Sequence, residues 1–271
     1  MNEKRVRLGG MALANGVLVH GPGHWACAIR AEDGAVEVAS GRKPLRSAEI
    51  RNPLLRGPAR LAEVFALLPE VRRHLPKAQL PFQRPGVAGA MLGSALGMRL
   101  LRASRLSPLT QEAIAAVLAV GPAAVALRGS NLAEYHGAEH IAIGTYEHGS
   151  ERAKEHERCG SHVVGPLLLT SAAGSMLAAR APAEVRPLAR AAAGVGAIAA
   201  SLEVFSWMVR NERHPLARAL AKPGHELQHR FVTAEPTAEQ LEVARAALAE
   251  CLRLESPANG DNGAAEEAPP T

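Results

Sequence analysis

The chain has few aromatic residues and few cysteines. Phe, Trp and Tyr make up 3% of its 271 residues, so it lacks the series of stacking side chains that grooves for single-stranded nucleic acid use. The net charge of +5 comes mostly from Arg residues that are spread along the chain. We therefore expect no nucleic-acid partner. An Arg excess of this kind is equally suited to anionic membrane lipid.

The cysteines are too few and too scattered to form a disulfide framework, which suits a reducing, cytoplasmic environment. They are Cys27, Cys159 and Cys251. The chain also lacks the glycine-rich P-loop, the dinucleotide-binding G-x-G-x-x-G before a helix, and the G-x-S-x-G nucleophile elbow. We interpret Gly9-Gly10 and Gly21-Pro22-Gly23 as turns.

Histidine, in contrast, is concentrated in one segment. Residues 134–162 hold five of the eleven histidines, and they include the pattern His136-x-x-Glu139-His140. Residues four apart on a helix share a face, with Cβ atoms about 5–6 Å apart. Two imidazoles at that spacing can hold one Zn²⁺, and the neighbouring Glu can then activate water at the metal. The pattern predicts His136 and His140 as ligands and Glu139 as a general base.

A zinc site needs at least a third protein ligand. The returning segment supplies His156 and Cys159, and Cys159 precedes an apolar helix whose N-terminus favours the thiolate form. Glu147 lies two turns beyond His140, roughly 10 Å along a straight helix, and can share the metal only if the helix breaks. We therefore predict that the metal site begun by His136 and His140 is completed by His156 or Cys159, both of which are candidate ligands.

Two other interpretations of the histidines remain open. The stripe of His and Glu on one helix face can be a solvated surface or a hydrogen-bonded network without a metal. Elsewhere, His225-Glu226-Leu-Gln-His229 is a literal H-E-x-x-H zinc signature. It directly follows Pro223-Gly224, and we interpret it as a helical turn with surface histidines.

The N-terminal third is predicted to change from strands to a helix. Residues 1–50 form a β-rich segment, in which 24–31 and 35–40 are strands joined by a hairpin turn at Glu32-Asp33-Gly34. Residues 51–85 contain an amphipathic helix over 53–75, interrupted by Pro58 and Pro69. A proline-rich linker, 76–86, follows.

Four runs rich in Ala, Gly and Leu occupy the middle of the chain. Each is near or below the roughly 20 apolar residues that a membrane span needs, so composition alone fits both soluble and membrane helices. Their arrangement as two pairs and the Arg residues at their ends favour the membrane. Glu203, inside the fourth run, requires a partner or a water-filled cavity there. The runs cover 86–101, 111–127, 163–181 and 188–209.

The C-terminal part is predicted to be soluble. Residues 238–255 carry an apolar stripe at helical spacing, and Thr237 with Gln240 forms a capping box. The acidic tail 256–271 is expected to be disordered. The predicted organisation is 1–50 (β-rich), 51–85 (helix and linker), 86–235 (helical core carrying the metal-site segment 134–162), 236–255 (C-terminal helix) and 256–271 (tail).

Several of these pieces together resemble the bacterial YqhQ-like proteins, the domain of unknown function 1385 family. The similarity begins with PLLRG (53–57) and continues with EYHGAEH and the later YE (134–147) and with H-x-R-C-G-S (156–161). It extends to RHPLARALAKPG (213–224), LQ (227–228) and QLEVA (240–244). The family is described as predicted metal-dependent enzymes with several transmembrane helices, so the resemblance implies a metal and a membrane location without naming a reaction.

We thus predict a mainly α-helical, multi-pass membrane bundle with a small N-terminal β-rich segment, located in the bacterial cell membrane, the alternative being the cytoplasm. The predicted function is that of a metal-dependent hydrolase using zinc-activated water. The cofactor is Zn²⁺ or another divalent transition metal such as Fe²⁺ or Mn²⁺. The alternative is a non-catalytic, membrane-associated protein with a structural zinc site or a polar network.

Overall fold

The N-terminal part of the chain forms a four-stranded antiparallel sheet in which each strand pairs with the next one along the chain. The computed structural model describes residues 5–45, 50, 52–128 and 130–256. The predicted hairpin turn is confirmed, since Gly34 has a φ of 86° and the Asp33 carboxylate accepts the backbone N–H of Ala35. The strands are β1 (Gly9–Leu13), β2 (Gly16–His20), β3 (His24–Arg30) and β4 (Val36–Arg42).

The interpretation of Gly9-Gly10 as a turn is wrong, because both residues lie within β1. Gly10 pairs with Val19 and Gly9 with His20. The chain turns instead at Ala14-Asn15, where the Asn15 side chain donates to the backbone of Arg30 and Lys77. The Gly-Gly pair was misleading as a turn signal, because glycine also occurs inside strands where another group comes close to the backbone.

The rest of the described chain is helical, as predicted. Gly149, with a φ of 72°, ends the histidine-bearing helix, and Thr237 with Gln240 caps the last one through a capping box. The helices are α1 (Pro53–His74), α2 (Pro85–Ala103), α3 (Pro108–Leu127), α4 (Leu132–His148), α5 (Val164–Ala179), α6 (Arg186–Arg210), α7 (Pro215–Leu227) and α8 (Ala238–Glu255).

Two details of the helical prediction are corrected. Pro58 and Pro69 lie inside a continuous α1, because a proline removes one backbone hydrogen bond but tertiary packing can keep the helix in register. The proposed linker is also shorter than expected, since Pro81–Gln83 forms a 3₁₀ turn and α2 begins at Pro85. Of the predicted tail, residues 257–271 lie outside the described residues.

Both faces of the sheet are buried by helices, so this part of the fold has three layers. Side chains alternate along β2 and β3, and each set enters a separate apolar cluster. One face packs against α4 and α8, and the other against the C-terminal half of α1. The first cluster contains Val17, Val19, Ala26, Ala28, Ala138, Ala142, Val243, Ala247 and Cys251, and the second Leu18, Trp25, Cys27, Ile29, Leu67 and Val71.

The four apolar runs form two helical hairpins, α2 with α3 and α5 with α6. Three segments are long and apolar enough to cross a membrane: Thr110–Leu127, Gly160–Ala179 and Arg186–Arg210. Large apolar side chains on these hairpins face outward, and Leu92, Val117 and Leu188 are each 73% exposed. Such surfaces are compatible with a lipid environment.

Glu203 of α6 has the partner that an apolar surrounding requires. The Arg56 guanidinium of α1 donates to its carboxylate, with 2.7 Å between Nε and Oε1, and also pairs with it through Nη2. The two helices approach closely there, since a Cβ on Gly57 would lie 2.9 Å from Leu202 Cβ. This contact joins the first amphipathic helix to the α5–α6 hairpin.

Candidate metal centre

Helix α4 places two imidazole rings side by side, as the H-x-x-E-H spacing predicts. The centroids of the His136 and His140 rings are 4.4 Å apart. His136 Nδ1 lies 2.8 Å from the carbonyl oxygen of Val232, and His140 Nδ1 lies 2.6 Å from that of Lys154. A carbonyl only accepts hydrogen bonds, so each Nδ1 carries the proton and each Nε2 keeps its lone pair for a ligand.

Burial favours the neutral form of His140. Its side chain is almost inaccessible, and desolvation, with a smaller effect from the neighbouring His136, lowers the pKa of His140 to about 2. A neutral imidazole is the form that binds a metal. The site therefore needs no loss of a proton from His140 at neutral pH.

Cys159 completes a group of three ligand atoms. Its sulfur lies 3.5 Å from His136 Nε2, and single ligand atoms of His136, His140 and Cys159 all lie within 4.8 Å of one another. Cys159 directly precedes a 3₁₀ turn, Gly160–Val163, that leads into α5, which agrees with its predicted place at the start of the third apolar run. Two imidazoles and one thiolate are a donor set that suits Zn²⁺.

Glu139 is buried between the two histidines on α4 and faces β1. A Cβ on Gly10 would lie 2.4 Å from Glu139 Oε1, so only glycine leaves room for this carboxyl group. Burial raises the pKa of Glu139 to about 7, with His136 acting in the opposite direction. A carboxyl group that titrates near neutral pH is suited to accept and return a proton.

His156 lies beside this group but bonds elsewhere. Its ring centroid is 5.5 Å from that of His140, while its Nε2 is 3.1 Å from Glu147 Oε2 and its Nδ1 accepts the backbone N–H of Arg158. Both ring nitrogens are thus engaged. Glu147 does not join the three ligand atoms, since α4 continues unbroken past Gly144.

Gln228 fixes the segment that carries Cys159, and sequence reasoning missed this role. It is fully buried, and its Oε1 accepts the backbone N–H of His156 at 2.7 Å. Its amide nitrogen lies 2.8 Å from Ser161 Oγ and 3.2 Å from the His156 carbonyl oxygen. It stands in a π-helical turn, Gln228–Val232, that extends α7, and such turns recur at functional sites.

The literal H-E-x-x-H segment, His225 to His229, exposes its two histidines and Glu226 at the protein surface. His225 and His229 stack with their ring centroids 6.3 Å apart, and the side chain of His229 is 63% exposed and pairs with Glu155. Glu226 pairs with Arg230 in the next turn. Over the described parts of the chain, the grouped metal-ligand atoms are those of His136, His140 and Cys159.

The group borders a cavity of about 580 Å³. Volumes of this order hold small-molecule ligands in other proteins. The walls come from β1, from the 3₁₀ turn near Phe82, from α3 and α4, and from the Cys159 segment. The polar residues of its lining include His136, Glu139, His140, His156, Arg158 and Cys159.

Residues 129–254 match the family described as "Protein of unknown function (DUF1385)". The similarity is therefore to the DUF1385, or YqhQ-like, proteins. One relative is the uncharacterized protein YqhQ of Bacillus subtilis (strain 168), which is 31% identical over 131 residues, covering 45% of this chain and 41% of the relative. No solved structure matches the chain.

The DUF1385 match supports the resemblance and places most of the site inside it. His136, Glu139, His140, Cys159 and Gln228 all fall within the matched residues, whereas Gly10 lies outside them. The chain spans about two fifths of the length of YqhQ. Neither similarity carries an activity, a metal or a substrate with it.

Proposed function

We propose that His136, His140 and Cys159 bind a divalent transition metal, most simply Zn²⁺, and that the protein is a hydrolase with Glu139 as general base. The observation that carries the proposal is the meeting of three ligand atoms within 4.8 Å beside a buried carboxyl group at the wall of a cavity. A bound zinc ion supplies Lewis acidity, which polarises a substrate oxygen and acidifies water.

The residues of the chain provide the remaining parts of such a site. The carbonyl groups of Val232 and Lys154 hold the two imidazoles in one orientation. Glu139 would accept a proton from the attacking water and pass it to the leaving group as the bond to that group breaks. Three protein ligands would leave room for a further ligand, as in catalytic zinc sites.

A closed structural site is the alternative. The His156 ring lies beside that of His140, with 5.5 Å between the centroids, and it would become a fourth ligand if it gave up its contact with Glu147. The four ligands His136, His140, His156 and Cys159 then leave no open position. In that case the metal fastens the segment before α5 to α4, and Glu139 has no role in chemistry.

Metal analysis of purified protein tests the binding part of the proposal. Protein prepared without chelator is expected to hold about one transition-metal ion per chain, and His136→Ala, His140→Ala and Cys159→Ser are each expected to lose it. His229→Ala, an exposed histidine, is the matched control and should retain the metal. Wild-type protein with far less than one ion per chain contradicts the proposal.

Two substitutions then separate catalysis from structure. Glu139→Gln keeps the size of the buried side chain, and we expect it to retain the metal and lose hydrolytic activity. His156→Ala is expected to retain the metal if the site has three protein ligands. Loss of metal in His156→Ala, with no effect of Glu139→Gln on any activity, supports the structural alternative.

We also propose that the protein is a multi-pass membrane protein. Three helices with the length and composition of membrane spans and the outward-facing Leu and Val side chains support this location. Fractionation of cells followed by alkaline washing is the direct test. Full release of the protein into the soluble fraction without detergent contradicts it and favours the cytoplasmic alternative.

A further inference from the structure

The cavity beside the metal group is lined by two chemically different sets of side chains. The polar set includes His136, Glu139 and Cys159, whose metal-ligand or carboxyl groups stand on α4 and on the segment before α5. The apolar set includes Pro122, Ala123, Ala126 and Leu127 of α3, together with Phe82 and Val87. A ligand that fills this space therefore meets polar groups on one part of its surface and apolar groups on another.

The α3 residues of the apolar set lie at the C-terminal end of that helix, within the candidate span Thr110–Leu127. Helix α4, which carries two residues of the metal group, begins soon afterwards at Leu132. Arg84, at the start of α2, donates to the carbonyl oxygen of Ala126 at 3.0 Å. The base of the α2–α3 hairpin thus flanks the cavity.

From this arrangement we propose that the ligand is a lipid-like amphiphile. Its single apolar chain lies against the last turn of α3, and its oxygen-bearing head reaches His136, Glu139 and Cys159. The position of the head rests on the proposed function, whereas the position of the chain rests on the cavity alone. In the proposed membrane location, such a molecule would reach the cavity from the bilayer, because the α3 residues of the lining lie at the end of a candidate span.

The first test uses a series of probes with one chelating head and different chains. Butyl, octyl and dodecyl hydroxamate are titrated into zinc-loaded protein in lipid nanodiscs, and binding is followed by displacement of a photoreactive, diazirine-tagged octyl hydroxamate. Affinity is expected to rise roughly fourfold per added methylene group until the cavity is filled. Mass spectrometry is expected to locate the cross-link in the peptide containing Pro122 and Ala126.

Substitutions within one turn of α3 provide the control. Ala126→Phe places a large side chain among the apolar lining residues and should weaken the binding of octyl hydroxamate at least about tenfold. Ala123→Phe, at a more exposed lining position, repeats the test if Ala126→Phe does not fold. Ala124→Phe is the matched control, because Ala124 is exposed and is not part of the cavity lining. Unchanged binding in Ala124→Phe is expected.

Metal content of the same samples distinguishes the two possible failures. If zinc binds and butyl hydroxamate binds, but longer chains and the α3 substitutions have no effect, the amphiphile proposal is overturned and the proposed function stands. If no metal binds, while photoreactive octanol still labels the last turn of α3 and Ala126→Phe prevents this, the chain position is supported and the head assignment falls with the proposed function.

Discussion

Replacement of Gln228 by Leu should weaken the metal site without removing any ligand. Gln228 is buried and makes hydrogen bonds on both sides of Cys159, to the backbone of His156 and to Ser161. Its Oε1 accepts one bond. Its two N–H groups can satisfy only two at a time of three nearby acceptors, which are the His156 carbonyl oxygen, Ser161 Oγ and His162 Nε2. Leucine has a similar size but replaces all three bonds with none.

The expected cost follows from this count. Three hydrogen bonds at about 1 kcal/mol each amount to about 3 kcal/mol of unfolding free energy, and the unpaired groups left on the His156 backbone add to this. Because these bonds orient the segment that presents Cys159, zinc affinity should fall about 10- to 100-fold, as observed for supporting groups of other metal sites.

The assay is competition for zinc against a chromophoric chelator, combined with thermal unfolding in detergent. Gln111→Leu is a matched control, since Gln111 is also buried and donates to the backbone of Ser104 and Leu106 at the far end of α3. It should lose stability and keep zinc affinity. Equal zinc affinity in wild type and Gln228→Leu, with Cys159→Ser impaired, would refute the argument.

Three further predictions concern the sheet and its neighbours. Gly10→Ala should displace the Glu139 carboxyl group and cost about 1–3 kcal/mol of unfolding free energy. Glu63→Gln should cost about 3–5 kcal/mol, because it leaves the buried ammonium group of Lys43 without its ion-pair partner. Desolvation, followed by the charge of Lys43, lowers the pKa of His20 from 6.5 to about 4 in the folded protein. As the pH falls, the unfolded chain therefore takes up this proton at a higher pH than the folded protein does. The contribution of His20 to the free energy of unfolding should therefore be full above pH 6.5 and should fall by about 3 kcal/mol as the pH drops to 4.

Each of these has a control in thermal or chemical unfolding. Gly89 has no neighbouring atom within 4 Å of an added Cβ, so Gly89→Ala should be neutral or stabilising, and equal losses at both glycines would contradict the steric reason. Replacement of Lys43 and Glu63 together by Met should recover much of the loss from Glu63→Gln. His20→Gln should remove the acid-dependent loss attributed to His20; an unchanged pH profile would show that another group causes it.

The sequence predicted those features that depend on local patterns. The H-x-x-E-H spacing placed His136 and His140 together because a helix fixes the relation of residues four apart. The cap of α8 and the four apolar helices were also predicted from local signals. The contact between Cys159 and His136 was only a hypothesis, since it depends on how the segment after α4 folds back onto that helix.

The features that the sequence did not predict depend on contacts between distant segments. Gly10 resembled a turn residue because its reason, the carboxyl group of Glu139, lies on another element. The role of Gln228 was missed because Gln228 lies within the H-E-x-x-H pattern, in which only His225, Glu226 and His229 were considered. The pairing of His156 with Glu147 was also not predicted, because residue spacing does not determine whether His156 contacts Glu147 or the ligand atoms of His136, His140 and Cys159.

The close approach of β1 to Glu139 has a consequence for where this fold can be divided. The similarity to DUF1385 covers residues 129–254, yet within that range α4 and α8 bury their apolar faces on strands from the first 30 residues. A fragment cut at the limits of the similarity would expose Glu139 and the helical side of this apolar cluster to water. The residues that match the family are therefore fewer than those that bury the site, and biochemical work on the histidine pair needs the N-terminal sheet attached.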